Sequence, residues 1–220
     1  ETDYDHIHTL FSLYQLSEAE TDIMRNLALA SFSGVQNRLF ANWLKLRDMN
    51  TVNDLIEKGF IKAMEGRMIA LHPMMQEVTM EETRPSVQTC HILLDSLQQI
   101  CLRHGEEVSY YKQLFQTIES VIVQIENDDM PVHLRFLEDV FPYIENYHYY
   151  QGMELVLDTL SAMLKDVAVG SVSDRALLLS YQAAYEKKAD KAIKMQKDAI
   201  AMIQQVKTKL QRIPDFNLRT

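Results

Sequence analysis

With 220 residues, 47% of them hydrophobic and 24% charged, the chain has the composition of one or two globular domains and not of a disordered polypeptide. Six glycines and five prolines against twelve methionines favour helices with short connections over an all-β fold. A formal net charge of −9 argues against a generic binder of nucleic acid or anionic membrane, because attraction to polyphosphate begins with a positive surface.

The first part of the chain reads as three helices, a hairpin and a fourth helix. The stretch SEAETDIMRNLALA opens with Ser17 and places Glu20 three residues on, a capping box that satisfies two otherwise orphaned backbone amides. Ile23, Met24 and Leu27 form its apolar stripe. VQNRLFANWLKL predicts a second helix with Val35, Leu39, Phe40, Trp43 and Leu44 on its core side, the single tryptophan being its anchor. Thr51 announces a third helix carried by Val52, Leu55 and Ile56, and Gly59 is a natural left-handed stop for it. FIKAM and MIAL are two short apolar strands around Glu65-Gly66, where glycine admits a tight turn. The run IALHPMMQEV then ends a strand in His72, and Pro73 follows at a first helical position. Three helices and a hairpin make the winged-helix pattern, placed at residues 5–84.

Residues 85–220 carry a helical hydrophobic period throughout, so the fold class is mostly α: a winged-helix domain followed by an array of α-helical hairpins. PSVQTCHILLDSLQQICLRHG starts with proline in a first turn and ends on Gly105. In the next helix Val108, Tyr111, Phe115, Ile118, Ile122 and Ile125 recur at spacings of three and four and predict its packing face. The segment Asn127 to Pro131 breaks the chain and restarts a helix through Phe141 and Ile144. A turn is expected around Tyr150-Gln151-Gly152, VGSVSD separates two further helices, and a last helix ends near Pro214. Ala192 and Ala199 lie seven apart, as do Leu155 and Ala162, a spacing of the kind found in tetratricopeptide repeats, in which small residues let paired helices approach closely.

Charge divides unevenly along this order. After Gly170 the chain carries ten basic residues and five acidic ones, which leaves about −14 on the rest. Such a tail is a solvated helix face or a docking surface for an acidic partner. Cys90 and Cys101, eleven residues apart in one predicted helix, stand roughly 16 Å from each other and are read as reduced core residues of a cytoplasmic protein. No apolar run approaches a membrane span and no signal peptide opens the chain. Its first residue is Glu1 instead of methionine, as expected for a fragment or a processed product.

Catalytic chemistry is not legible. His6-x-His8 and Cys101-x-x-His104 supply too few ligands for zinc, which needs three or four converging side chains. There is no nucleophile elbow, no distinguishable pair of carboxylates and no phosphate-binding loop, so the chain is not expected to be an enzyme. DNA binding is the alternative that a winged helix raises, as a transcriptional regulator with a helical effector or dimerisation domain. The recognition helix would then offer Asn53, Asp54, Glu57 and Lys58 to the groove, a net-negative set, while the wing adds Lys62 and Arg67 with Glu65 at its tip.

The run LFSLYQLSEAETDIMRNLALASFSGVQNRLFANWLKL, followed by VNDLIEKGFI and IALHPMMQEV, resembles the winged-helix subdomain of the bacterial STAND nucleotide-switch ATPases, the NB-ARC proteins, whose members often continue into tetratricopeptide repeats. The resemblance is close over residues 8–83. It implies that Leu71-His72-Pro73 stands where that family has Met-His-Asp, whose histidine contacts the β-phosphate of bound ADP; proline here replaces the aspartate. On this resemblance His72 is a cofactor-contacting residue that acts only together with a nucleotide-binding domain of the same polypeptide. No cofactor is expected in this chain alone, ADP and ATP being implied for the whole protein, and the helical array would bind an unknown protein or small-molecule signal. Read from the residues alone, His72 is a junction histidine that caps the wing or packs under it.

Overall fold

The computed structural model describes residue 9 and residues 16–30, 33–103, 110–166 and 168–211. These fall in two compact units, Glu1–Phe136 and Leu137–Thr220.

In the first unit, helix α1 (Glu18–Ala28) begins with the expected capping box: the Ser17 hydroxyl accepts from the Glu20 amide at 3.3 Å, and the Glu20 carboxylate accepts from the Ser17 amide at 2.9 Å. Glu20 also pairs with Lys58, and that partner, with the Ser17 amide, holds its carboxyl below the usual carboxylate range. One buried side chain thus starts α1 and ties it to the end of a helix 38 residues away.

The expected second helix is shorter at its start. Val35–Gln36 form a strand, β1, and helix α2 is Asn37–Trp43. Helix α3 follows at Asn50–Glu57, then strand β2 (Ile61–Met64), a single 3-10 turn at Glu65–Arg67 and strand β3 (Met68–Leu71). Gly59 and Gly66 take the left-handed φ their positions predicted, 80° and 73°. The three strands form an antiparallel sheet in the order β1-β3-β2, with Val35 opposite Ile69 and Ile61 opposite Leu71. The order helix, strand, two helices and two strands is that of a winged helix. Its core is filled by Met24, Leu29, Phe40, Trp43, Val52 and Leu55, with Trp43 only 2% exposed.

Helix α4 (Pro73–Thr83) leaves the sheet and stops at Arg84, whose φ of 41° closes it in the left-handed region. Pro85 does not start the next helix. Glu126 donates its amide to the Pro85 carbonyl at 2.8 Å and accepts from the Val87 amide at 3.0 Å, so this stretch is held extended, and helix α5 begins at His91 and runs to Leu102. Gly105, the expected stop, lies outside the described residues, as does Val108. In helix α6 (Tyr111–Gln124) the buried face contains Leu114, Phe115, Ile118, Val121 and Ile122. Tyr111, assigned to that face from its spacing, is 40% exposed. Helices α5 and α6 attach to the winged helix through polar contacts: Ser96 Oγ donates to the Trp43 carbonyl at 2.6 Å, and the Gln36 amide donates to Gln113 Oε1 at 3.2 Å.

Helix α7 (Met130–Asn146) carries buried Phe141 and Ile144 as the sequence predicts. The second unit continues with α8 (Tyr150–Met163), α9 (Val172–Tyr185) and α10 (Ala189–Gln211), the last two packed as a hairpin. Gly152 does not form the expected turn. The chain reverses at His148, φ 54°, and Gly152 sits inside α8, where a Cβ would stand 2.7 Å from Cδ1 of Tyr149. This glycine serves close approach and not backbone reversal. Ser171 caps α9 together with Asp174, just after the separating VGSVSD begins. Of the residues spaced by seven only Ala199 is buried; Leu155 and Ala192 are half-buried and Ala162 is exposed. Pro214 lies outside the described residues.

Candidate functional site

His72 is positioned by the join of β3 to α4. Leu71 ends the sheet buried, and His72 takes extended backbone, φ −64° and ψ 144°, as the N-cap of an eleven-residue helix with Pro73 at its first position. Proline has no amide to lose there and its fixed φ suits the first turn. The His72 carbonyl accepts from the Gln76 amide at 2.9 Å, closing that turn. The helix is seated by Met75, Gln76, Val78 and Thr79, all buried. Gln76 donates from Nε2 to the Ala28 carbonyl at 2.6 Å, and at the other end Arg25 Nε donates to the Thr83 carbonyl at 3.3 Å. The backbone of His72 is therefore fixed against both the sheet and α1.

The imidazole itself is exposed and makes no side-chain cap bond. His72 is a junction residue by its backbone, while its ring neither caps the helix nor packs beneath the wing. With Pro73 lacking a donor, the amides of Met74 and Met75 face the open end of the first turn, as helix geometry requires. Two amides, the positive end of the helix and an exposed imidazole can together receive one anionic oxygen cluster.

The remaining titratable candidates offer less. Cys90 and Cys101 are free and buried, and burial pushes their thiols up to about 11 and about 12, so neither supplies a thiolate near neutrality. His91, the exposed first residue of α5, has Nδ1 2.8 Å from the Gln88 carbonyl. His6, His8 and His104 lie outside the described residues. Among the described residues no cluster of three or more histidine, cysteine, aspartate or glutamate side chains is placed to hold a metal ion. Nor is any helix among them long and apolar enough to cross a membrane.

The face that would meet DNA is the outer side of α3. Asn53, Asp54 and Glu57 are exposed there, and Lys58, the single cation of the set, is engaged by Glu20. The exposed side of α3 is thus net acidic, while Lys62 and Arg67 of the hairpin are exposed cations.

Two features escaped the sequence. His133 on α7 is 4% exposed with neither ring nitrogen hydrogen-bonded, and its burial holds its pKa below the usual histidine range. Nothing in the spacing of VHLRFLEDVF marks this histidine as buried beyond its place between apolar residues. The second is a groove of about 510 Å³ between α9 and α10, with exposed isoleucines on its α10 side. The one-turn spacing of Ala199, Ile200 and Ile203 with Gln196 was a legible signal for it.

Compared with known protein families, with curated proteins and with solved structures, the chain matches none.

Proposed function

We propose that this chain is the regulatory and sensor region of a STAND-type signalling ATPase, in which the winged helix restrains a nucleotide-binding domain of the same polypeptide and the helical pairs bind a partner or ligand. The observation that carries this reading is the exposed, uncapped His72 at the open end of α4. A buried or capping histidine would have no ring to offer; this one presents its ring beside the first-turn amides of a helix that Gln76 ties to α1. In the restrained state His72 and the first turn of α4 would hold a phosphate of ADP against the nucleotide domain. Binding at the helical pairs would favour a second arrangement in which that contact is lost, so that ADP exchanges. Both ends then bias one two-state element, which is what an allosteric coupling requires.

A hydrogen bond to a charged group contributes about 1.5–3 kcal/mol. In the polypeptide that carries the nucleotide domain, His72→Ala is therefore expected to speed ADP release by about tenfold to a hundredfold, measured by displacement of a fluorescent ADP analogue. Release at the unchanged rate would overturn the reading, as would a coding sequence with no phosphate-binding loop within a few domain lengths on the N-terminal side. DNA regulation is the weaker reading, because the exposed residues of α3 are acidic or neutral and its lysine is paired.

A further inference from the structure

The hairpin of α9 and α10 leaves an apolar surface that its own packing does not cover. Ala176 and Ala199 form the buried floor of the groove, and Leu177, Ile200 and Ile203 rise beside them. Ile200 is 56% exposed, Ile203 44% and Ile193 53%. Ile200 and Ile203 lie one turn apart on the groove side of α10, and Ile193 lies two turns before Ile200 with Gln196 and Lys197 between them, so the isoleucines form an apolar ridge interrupted by one polar turn. Alanines at the floor with isoleucines at the side form the kind of hole into which the side chains of another helix insert. The two walls are held in register by Ser180 and Gln196: Gln196 Nε2 donates to the Ser180 carbonyl at 3.1 Å, and the Ser180 hydroxyl to Gln196 Oε1 at 3.3 Å.

Charge selects among occupants. Between Val172 and Gln211 stand eight basic residues and four acidic ones. Lys194 and Lys197 lie on the exposed side of α10 next to the ridge, and Lys207 lies along it. Among the described residues ion pairs join Arg25 to Asp22, Lys58 to Glu20 and Lys191 to Glu186, and none engages Lys194, Lys197 or Lys207. Asp174, the acid that lines the groove, is occupied in capping Ser171. A second copy laid on the same face would set lysine against lysine, which disfavours a symmetric pair.

We infer that this groove docks an amphipathic α-helix of a partner protein, its apolar side on the isoleucine ridge and carboxylates along its flank facing Lys194, Lys197 and Lys207. This names the chemistry of the partner assigned to the helical pairs above and rests on that reading. The apolar ridge supplies contact area, and the unpaired lysines supply orientation and discrimination against basic helices.

Two labelled synthetic peptides with one leucine heptad pattern, flanked in one case by glutamate and in the other by lysine, test it by fluorescence anisotropy against the whole chain. The glutamate peptide is expected to bind at least about tenfold more tightly than the lysine peptide, with an affinity that falls as salt rises. Ile200→Glu, at an exposed position that leaves the fold intact, should weaken it by about tenfold or more, and the pair Lys194→Glu and Lys197→Glu should reverse the preference between peptides. Equal affinity for the two peptides, no binding of either, or binding unaffected by Ile200→Glu would overturn the inference. Self-association in sedimentation that Ile200→Glu abolishes would assign the face to a second copy and overturn it as well. Neither peptide involves ADP, so these failures leave the His72 release experiment standing on its own.

Discussion

Gln76 is the side chain on which the placement of the candidate site depends most directly. It is 4% exposed and sends Nε2 to the carbonyl of Ala28, the last residue of α1. Carbonyls in the last turn of a helix have no partner within it, and this one is buried, so Gln76 supplies what the helix lacks. Gln76→Met keeps the length and most of the volume of the side chain and removes the donor. Leaving a buried carbonyl unsatisfied costs about 1–3 kcal/mol, so about 2 kcal/mol is the expected loss. With about 2.1 cal/mol/K of unfolding entropy per residue, that loss in the unit Glu1–Phe136 lowers its melting temperature by about 7 °C. Gln76→Ala adds an unfilled volume and should cost about 1–2 kcal/mol more. The assay is thermal unfolding followed by circular dichroism, with urea midpoints at unchanged slope as a control on the denatured state. If Gln76→Met unfolded within about 0.5 kcal/mol of the parent chain, the argument that this bond anchors α4 to α1 would be wrong.

Other expectations follow from single residues. His133 is buried with both ring nitrogens unpartnered, so His133→Leu should raise stability by about 1–2 kcal/mol. Because burial depresses its folded pKa, the unfolded chain takes up a proton first as pH falls below about 6.5. The stability of the parent should therefore decline through that range by more than that of His133→Leu; parallel pH profiles in urea titrations would refute the assignment. Glycine to alanine inside a helix usually stabilises by about 1 kcal/mol, but at Gly152 the new Cβ meets the Tyr149 ring at 2.7 Å. Overpacking of that kind costs about 1–3 kcal/mol, so Gly152→Ala should lower the melting temperature, and a higher one would show that the ring yields freely.

The DNA alternative illustrates how far residue types carry an argument and where geometry takes over. The acid content of α3 was legible as Asp54 and Glu57, and it counted against a groove contact from the outset. That Lys58 is not available to phosphate was not legible, because its partner Glu20 lies in another helix and is already engaged in a local cap. His72 divides in the same way. Its place at a strand-to-helix join follows from the sequence, with Pro73 as a first-turn residue, whereas the exposure of its ring depends on how α4 settles against α1 and the sheet.

What the sequence determined by itself are the features closed by near neighbours: the Ser17 and Glu20 capping box, the left-handed stop at Gly59 and turn at Gly66, the start of α4 at Pro73, and most of the apolar faces of α3, α6 and α7, Tyr111 excepted. Their hydrogen bonds and periodicities span three or four residues, so composition and spacing suffice to write them. Tertiary structure decided the rest. Val35 and Gln36 become a strand only because β3 offers them an edge, Pro85 to Val87 stay extended because Glu126 bonds to them, and Gly152 is small because Tyr149 lies against it. Each of these depends on a partner whose distance from the backbone is a result of folding, and a long-range pairing overrides a local propensity worth only a few tenths of a kcal/mol per residue.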